Sequence, residues 1–352
     1  MSFTVQLKGG DIIMRHIIYG AGAIGSVMGG YLAESGSKAV LIGRSAHVEA
    51  VRSRGLKITG ITGEHLIRLE AVVHPSELGF REDDVIHLTV KSQDTPEAAE
   101  ALQRCHAQDL PIFCFQNGVR NERTLAQTGF SCVYGGIAYF GATYACPGEI
   151  INTSRNALGI GLYPEGLDET ARQTATELER AGFFVGQYER IMEGKYTKLL
   201  TNLNNALYAA CGFSLQEAQT DEEARKFMAS VLEEGLKVIQ SAGIVVSNLP
   251  GGGTPEDLIR NLREKREKPF EKSAFREDIE VRPSTWQDFY HRRGKSEIDH
   301  FNGEIEELGR ELGIPTPYNS FLRWVNRKML EEGLELGCFS MDDLKAMLTE
   351  RK

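Results

Sequence analysis

A glycine motif between an apolar run and a helical pattern constrains this chain most. Residues 16–19 form a short β-branched run, and residues 26–34 have helical periodicity. The six residues between them are Gly20, Ala21, Gly22, Ala23, Ile24 and Gly25. In a strand–turn–helix unit the first glycine allows a tight turn, the second lets the backbone approach a pyrophosphate, and the third lets the helix pack on the strand. The motif therefore predicts a dinucleotide site at the helix N-terminus, with a purely structural glycine turn as the alternative.

The rest of the chain divides into two regions with different secondary-structure patterns. Further strands are predicted at residues 39–42, 84–90, 111–115 and 131–134, with an antiparallel addition over 137–161, and this alternation with helical patterns is typical of a parallel sheet. Helices are predicted at residues 196–211, 221–242, 296–312 and 318–332, where strand signals nearly vanish. A length of 352 residues suits two domains. We expect an α/β Rossmann-type domain over 1–188 and an all-α domain over 189–352.

Composition narrows the range of partners. The chain has 40 Lys+Arg against 49 Asp+Glu, a formal charge of −9, and no basic run, which argues against nucleic acid as the main partner. No apolar run is long enough for a membrane helix, and the first 13 residues lack a signal pattern, so a cytoplasmic location is expected. The six cysteines are widely spaced without a CxxC pair, which favours buried, reduced thiols and no metal site.

Three positions near strand ends refine the cofactor prediction. An NAD site would place an acid after the second strand, but Arg44 follows residues 39–43 here, and a guanidinium suits the 2′-phosphate of NADP(H). A solvated arginine is the alternative. Lys91 closes the strand at residues 84–90, and Asn117 follows the strand at residues 111–115. Both lie where ligands bind in open parallel sheets, although simple turn chemistry is the alternative for Asn117 and Gly118.

A polar stripe marks the first helix of the second half. Lys198, Asn202 and Asn205 lie at i, i+4 and i+7, so they share one face of a helix whose other positions are mostly apolar. These side chains could bind a carbonyl and a carboxylate, with the ammonium donating a proton. An interdomain polar network is the alternative. Ser296 and Glu297, at the start of the pattern 296–312, fit an N-cap and its first-turn acid when considered alone.

Residues 247–281 interrupt the helical pattern with a glycine- and charge-rich segment. We interpret it as a surface excursion. Thr254 followed by Pro255, Glu256 and Asp257 has the form of an N-cap, a first-turn proline and two acids, which predicts a short helix.

These motifs, in this order and covering most of the chain from about residue 14, make the sequence similar to the ketopantoate reductase family. The resemblance implies a Rossmann domain followed by a helical domain, NADP(H) as cofactor, and reduction of ketopantoate on the route to pantothenate. It implies that Lys198 is the catalytic lysine and Glu297 a catalytic-site acid that touches the cofactor. The positions that it implies for ligand binding are Asn202 and Ser284 for substrate, Lys91 and Ala142 for cofactor, and Asn117 for both.

The sequence departs from the family pattern in the helical half. Ala206 stands where the family has a second asparagine, so Asn205 or Asn204 would have to take that role, and Val281 replaces another asparagine. We therefore expect an NADPH-dependent reductase of a small 2-oxo acid, ketopantoate first. A reductase of another 2-oxo acid or carbonyl compound is one alternative. A silent NADP(H)-binding sensor is the other, against which the presence of Lys198 and Glu297 counts. The oligomeric state stays open, with a homodimer among the options.

Overall fold

The computed structural model describes residues 14–248, 253–264, 283–292 and 294–351. Its strands, in chain order, are β1 (Arg15–Tyr19), β2 (Lys38–Ile42), β3 (Leu56–Gly60), β4 (His65–Ile67), β5 (Glu70–Val72), β6 (Asp84–Leu88), β7 (Ile112–Cys114), β8 (Val133–Ala138), β9 (Ala142–Cys146), β10 (Glu149–Asn152), β11 (Ala157–Leu162) and β12 (Phe184–Gln187). The helices are α1 (Ala23–Glu34), α2 (Ser45–Arg54), α3 (Thr95–Arg104), α4 (Asn121–Gln127), α5 (Glu169–Arg180), α6 (Ile191–Asn202), α7 (Asn205–Cys211), α8 (Leu215–Thr220), α9 (Glu222–Ser241), α10 (Pro255–Glu264), α11 (Ser284–Tyr290), α12 (Asn302–Leu312), α13 (Pro317–Glu331) and α14 (Met341–Arg351).

An eight-stranded sheet organises the first half of the molecule. Its order is β12-β11-β8-β7-β6-β1-β2-β5, with β11 antiparallel to β8 and every other neighbouring pair parallel. Ile18 and Leu41 pack with α1 on one face, while Ile17 and Val40 pack with α3 on the other. Burial on both faces explains why these strands are nearly continuously apolar. The fold class predicted from the sequence is confirmed, and we call residues 14–187 the sheet half.

A second sheet was only partly predicted. Its order is β4-β3-β10-β9, and it includes the antiparallel pair β9–β10 expected within residues 137–161. However, β10 also pairs parallel with β3, which no sequence pattern indicated. Ile58 of β3 and Ile67 of β4 lie against Gly30 of α1. Because the β3–β10 pairing joins segments about ninety residues apart, local periodicity could not reveal it.

The helical half, residues 191–351, contains an interruption that the sequence did not predict. The expected helix at residues 196–211 is two helices, α6 and α7, separated at Leu203 and Asn204. The carbonyl of Leu203 accepts a hydrogen bond from Asn302 Nδ2 at 3.0 Å. This side-chain donor replaces a helical amide partner, so the chain bends between Asn202 and Asn205.

The predicted helix start at Ser296 is wrong. Ser296 Oγ accepts from the amide of Ile298 at 3.3 Å, but this caps only a 3₁₀ turn over Ile298–His300. Phe301, with φ −113° and ψ −92°, interrupts the backbone before α12 begins at Asn302. Glu297 therefore lies on a loop and not on a helix, which leaves its carboxylate able to reach the sheet half.

Of the predicted surface excursion, residues 247, 248 and 253–264 belong to the described residues, while Val281 lies outside them. The short helix predicted after Thr254 is confirmed as α10. Thr254 Oγ1 accepts from the amide of Asp257 at 3.1 Å, and Asp257 Oδ2 accepts from the amide of Thr254 at 3.0 Å. This reciprocal cap fixes the start of the helix.

Three global properties of the described residues bear on what the protein can bind. Within the described ranges, every helix is too short or too polar to cross a membrane. The described residues include no group of three or more His, Cys, Asp or Glu placed to hold a metal ion. All six cysteines are free thiols, but the predicted burial is wrong for five of them, since only Cys114 is buried and Cys338 is exposed.

Candidate functional site

A cleft of about 1270 Å³ lies between the carboxyl ends of the parallel strands and the helices α6, α7 and α11. Nearly all of the predicted site residues line this cleft: Gly20, Ala21, Gly22, Ala23, Ile24, Arg44, Lys91, Asn117, Ala142, Lys198, Asn202, Asn205, Ser284 and Glu297. Gly25 is the exception. The structure thus brings residues more than 270 positions apart in the chain to one cavity.

The glycine turn forms one end of the cleft. Gly20 has φ +117°, and a Cβ atom there would lie 2.4 Å from the amide nitrogen of Val90. Gly25 packs under the turn, where a Cβ would lie 2.4 Å from the carbonyl oxygen of Gly20. Gly22 differs, because a Cβ would meet only the Gly20 oxygen at 3.9 Å and would otherwise project into open space. With no acid in the first turn of α1, this cradle fits the diphosphate of a dinucleotide.

Arg44 lies beside the glycine turn, at the N-terminus of α2. Its guanidinium carbon is 5.9 Å from the ring centroid of Tyr144, on β9 of the second sheet. Among the described residues, no carboxylate forms an ion pair with Arg44. Ala142, at the start of β9, contributes to the same wall of the cleft. The wall therefore presents a cation whose donors can bind an anion.

Lys198 projects from α6 toward the sheet half. Its Nζ donates to the carbonyl oxygen of Ala138 and lies 5.8 Å from the ring centroid of Tyr139. Burial and the positive charge of Lys195 together lower the pKa of Lys198 to about 8, against the opposing effect of Glu297. A lysine with this pKa can exchange a proton near neutral pH.

Glu297 pairs with Lys91, whereas Lys198 donates to the Ala138 carbonyl oxygen. Lys91 Nζ donates to Glu297 Oε2 at 2.7 Å and to Asp288 Oδ2 at 3.2 Å, so the two acids of the helical half hold a lysine of the sheet half. Glu297 Oε1 also accepts from the amide of Ser92 at 3.3 Å. Although burial raises the pKa of Glu297, Lys91 and the Ser92 amide hold it below its usual value, so the carboxylate is ionised. The Lys198 ammonium is hydrogen-bonded to the Ala138 carbonyl oxygen and not to Glu297.

Asn202, Asn205 and Ser284 form the side of the cleft opposite the glycine turn. Asn205 Nδ2 donates weakly to Ser284 Oγ at 3.5 Å. Asn202 Nδ2 is buried and has no hydrogen-bond partner among the described residues, so its donor is available to a ligand oxygen. Ala206 is fully buried, and Asn204 donates to the carbonyl of Met228 at 3.5 Å. Of the two asparagines considered as replacements, Asn205 is the one that lines the cleft.

The turn at Asn117 is braced by side chains from two neighbouring elements. The Asn117 carbonyl oxygen accepts from Ser92 Oγ at 2.7 Å and from Asn121 Nδ2 at 2.8 Å. Gly118 has φ +79°, and a Cβ there would lie 3.2 Å from the carbonyl oxygen of His300. Side-chain hydrogen bonds and close packing therefore hold this turn in place, whereas a turn formed by local sequence preference alone would need neither.

Sequence reasoning missed Asp288, Lys195 and Glu122 as residues of this region. Asp288 lies four residues after Ser284, on the same helix face, and that spacing could have identified it. Lys195 precedes Lys198 by three residues and offered the same signal. Glu122 follows the Asn117 turn by five residues, but nothing in the sequence indicated that it faces Lys195.

Comparisons with known proteins agree with this geometry. Residues 16–165 match the family model described as ketopantoate reductase PanE/ApbA, and residues 190–327 match its C-terminal model. The 2-dehydropantoate 2-reductase of Pyrococcus horikoshii is 32% identical over 320 residues, which cover 90% of this chain and 98% of that protein.

Solved structures give the same fold. The crystal structure of a PanE/ApbA family ketopantoate reductase from Ralstonia eutropha JMP134 has a TM-score of 0.77 at 28% identity, covering 91% of this chain and 99% of that one. A ternary structure of D-mandelate dehydrogenase with NADH and anilino(oxo)acetate also has a TM-score of 0.77, at 23% identity, with coverage of 91% and 99%. The second similarity concerns the fold alone.

Proposed function

The chain belongs to the ketopantoate reductase family, and on that premise we propose that it reduces 2-dehydropantoate to pantoate with NADPH, a step of pantothenate biosynthesis. One observation carries the proposal. A single cleft has the glycine turn and Arg44 in one wall and Lys198, Asn202 and Ser284 in the other. A dinucleotide and a small 2-oxo acid bound to these walls would meet between them.

The sheet half supplies the cofactor site. The open space over Gly22 and the N-terminus of α1 accommodate the diphosphate, and Arg44 pairs with the 2′-phosphate of NADPH. Lys91, Asn117 and Ala142 line the same cleft and would supply further contacts to the cofactor, as the family resemblance implies. NADPH, when bound, supplies the hydride.

The helical half supplies the substrate site. Asn202 Nδ2 donates to an oxygen of the substrate, which satisfies an otherwise unpartnered buried amide. Ser284 and Asn205, already in contact with each other, bind the carboxylate or the distal hydroxyl group. Glu297, fixed by Lys91, keeps the two walls at a constant separation.

Lys198 acts as the proton donor. As the carbonyl carbon accepts the hydride, its oxygen becomes an alkoxide, and the Lys198 ammonium stabilises this charge and gives it a proton. The neutral amine then recovers a proton from water. The lowered pKa of about 8 makes this transfer easier than from an ordinary lysine.

An assay of NADPH consumption with a panel of 2-oxo acids tests the proposal. We expect ketopantoate to give the highest kcat/KM. A second candidate, reduction of a different 2-oxo acid, is favoured by Ala206 at the position of the second family asparagine. Higher kcat/KM for another member of the panel would select that candidate, and turnover of none of them would reject both.

The proposed enzyme has two domains, a cellular location and an assembly state that can each be tested. The two domains meet at residues 188 and 189, because β12 ends at Gln187 and α6 begins at Ile191. The enzyme works in the cytoplasm, with neither nucleic acid nor a membrane as partner. A homodimer is the assembly to test first, by analytical ultracentrifugation.

A further inference from the structure

We propose that Lys195 is a positioning residue for this reaction, because with Glu122 it fastens the segment that carries Asn117 to the helix that carries Lys198. The inference rests on the proposed function, since it concerns the placement of the proposed proton donor. No part of the cofactor or substrate chemistry described above uses either residue. Both lie behind the cleft rather than in its lining.

The two side chains form a buried ion pair between α6 and α4. Lys195 is 3% exposed and Glu122 is fully buried. Lys195 Nζ donates to a carboxylate oxygen of Glu122, to the carbonyl oxygen of Cys114 at 3.0 Å and to that of Gln116 at 3.4 Å. An ammonium has three donors, and each of them has an acceptor here.

These contacts connect the two walls of the cleft. Cys114 is the last residue of β7, and Gln116 directly precedes Asn117. Lys195 lies three residues before Lys198 on α6, so the two lysines occupy successive turns of one helix. The Lys195 ammonium therefore fixes the position of the Asn117 turn relative to the helix that carries Lys198.

A hydrogen-bond network extends this connection toward Glu297. Gln116 Nε2 donates to Thr95 Oγ1 at 2.6 Å, and Thr95 Oγ1 donates to Asn121 Oδ1 at 2.9 Å. Asn121 Nδ2 donates in turn to the Asn117 carbonyl oxygen. Ser92 Oγ lies next to the same oxygen and 3.3 Å from Glu297 Oε1. The pair Lys195–Glu122 thus anchors a continuous polar layer beneath the cleft.

Stability alone is a poor reason for such a pair. Taking two charges out of water costs much of what their attraction returns, and apolar side chains of similar volume often stabilise a core as well or better. An apolar pair could not bind the carbonyls of Cys114 and Gln116, however. The benefit of the ion pair is therefore the placement of the segment that it holds.

The charge of Lys195 also acts on Lys198. The groups that face the Lys198 ammonium are the Ala138 carbonyl and the Tyr139 ring from the sheet half, Glu297 from the helical half, and Lys195 on its own helix. After burial, Lys195 is the main cause of the lowered pKa of Lys198, and Glu297 opposes it. Removal of the Lys195 charge should raise the pKa of the proton donor.

The test replaces both charges together, as Lys195→Met/Glu122→Met, so that no lone charge stays buried. We expect kcat to fall about 10- to 100-fold, since misplacement of about 1 Å can cost that much. The alkaline limb of the kcat profile should move to higher pH, because the donor keeps its proton longer. The Kd of NADPH should change by a smaller factor than kcat, since Arg44 and the glycine turn are intact and only the contact from the Asn117 turn is displaced.

A matched control is the buried pair Arg15–Asp84, which lies at the amino ends of β1 and β6, away from the cleft. It is replaced as Arg15→Met/Asp84→Met. We expect this variant to retain kcat and its pH profile whatever its Tm. Wild-type kcat and an unmoved alkaline limb in the Lys195/Glu122 variant would overturn the proposal. An equal loss of kcat in the control would also overturn it, by showing that any buried pair has this effect.

Two further variants keep the test decisive. If the double variant does not fold, Glu122→Gln retains the shape of the side chain and one acceptor for Lys195, and a several-fold loss of kcat is then expected, while wild-type kcat rejects the inference. Lys198→Ala separates the inference from the proposed function. Loss of turnover in Lys198→Ala, together with normal turnover in the Lys195/Glu122 variant, leaves the function standing and removes only the positioning role.

Discussion

The two ends of the parallel strands both bury charged side chains, but they pair them in different ways. At the amino end, Arg15 donates to Asp84 at 2.6 and 2.7 Å and to the Gly79 carbonyl at 2.7 Å, all within the sheet half. At the carboxyl end, Lys91 pairs with Asp288 and Glu297, which lie 197 and 206 residues away in the helical half. The amino-end pair can only stabilise the sheet, whereas the carboxyl-end pairs also set the separation of the two walls of the cleft.

The largest effect expected from this comparison is on turnover. Lys198→Ala should lower kcat about 10²- to 10⁴-fold, because the proton donor for the alkoxide is lost. The Kd of NADPH, measured by fluorescence titration, should stay near the wild-type value, since Lys198 lies on the opposite wall from Arg44. Normal kcat in this variant would remove Lys198 from the mechanism.

The amino end provides the counterpart to that experiment. Arg15→Met leaves Asp84 buried without its partner, which typically costs about 3–5 kcal/mol of unfolding free energy. We expect a lower Tm but an unchanged kcat per folded molecule at 25 °C. A large loss of kcat in Arg15→Met would break the distinction between the two ends.

Cofactor discrimination should show the next largest effect. Arg44→Ala should weaken NADPH binding about 10- to 100-fold, because a charge-assisted contact to the 2′-phosphate contributes about 1.5–3 kcal/mol. NADH, which lacks this phosphate, should bind Arg44→Ala and the wild type alike. Equal loss for both cofactors would show that Arg44 supports the local fold and not the phosphate.

The sequence predicted the placement of the glycine turn and Arg44 better than the contacts across the cleft. The glycine turn and Arg44 belong to one local unit, β1–α1–β2, so their positions follow from motif and order along the chain. The interruption after Asn202 depends on Asn302, a hundred residues away, and no periodicity signals it. The partner of Glu297 is likewise a product of tertiary structure, since Lys91 and Glu297 meet only when the two halves pack.

Substrate binding should respond more modestly. Asn202→Ala and Ser284→Ala should each raise KM for ketopantoate about 3- to 30-fold, with a smaller change in kcat, because each removes about one hydrogen bond to the bound substrate. Thr201→Ala, on the rim of the same cleft, is the matched control and should change KM little. If both variants keep the wild-type KM, the substrate binds elsewhere.

The smallest effect at neutral pH, and the one most diagnostic of the direction of the reaction, concerns the pH profile of kcat. Burial lowers the pKa of Lys198 to about 8, and reduction needs the protonated lysine. The kcat for reduction should therefore be constant below that pH and fall about tenfold per unit above it. Oxidation of pantoate needs the neutral amine as a base, so its kcat should rise over the same range. At the amino end the hydrogen bond to Asp84 raises the pKa of Arg15, so Arg15 does not titrate in this range and Arg15→Met should leave both limbs in place. If kcat for both directions followed the same pH dependence, a group other than Lys198 would donate the proton. The buried lysine of the cleft would then be no more catalytic than the buried pair at the amino end.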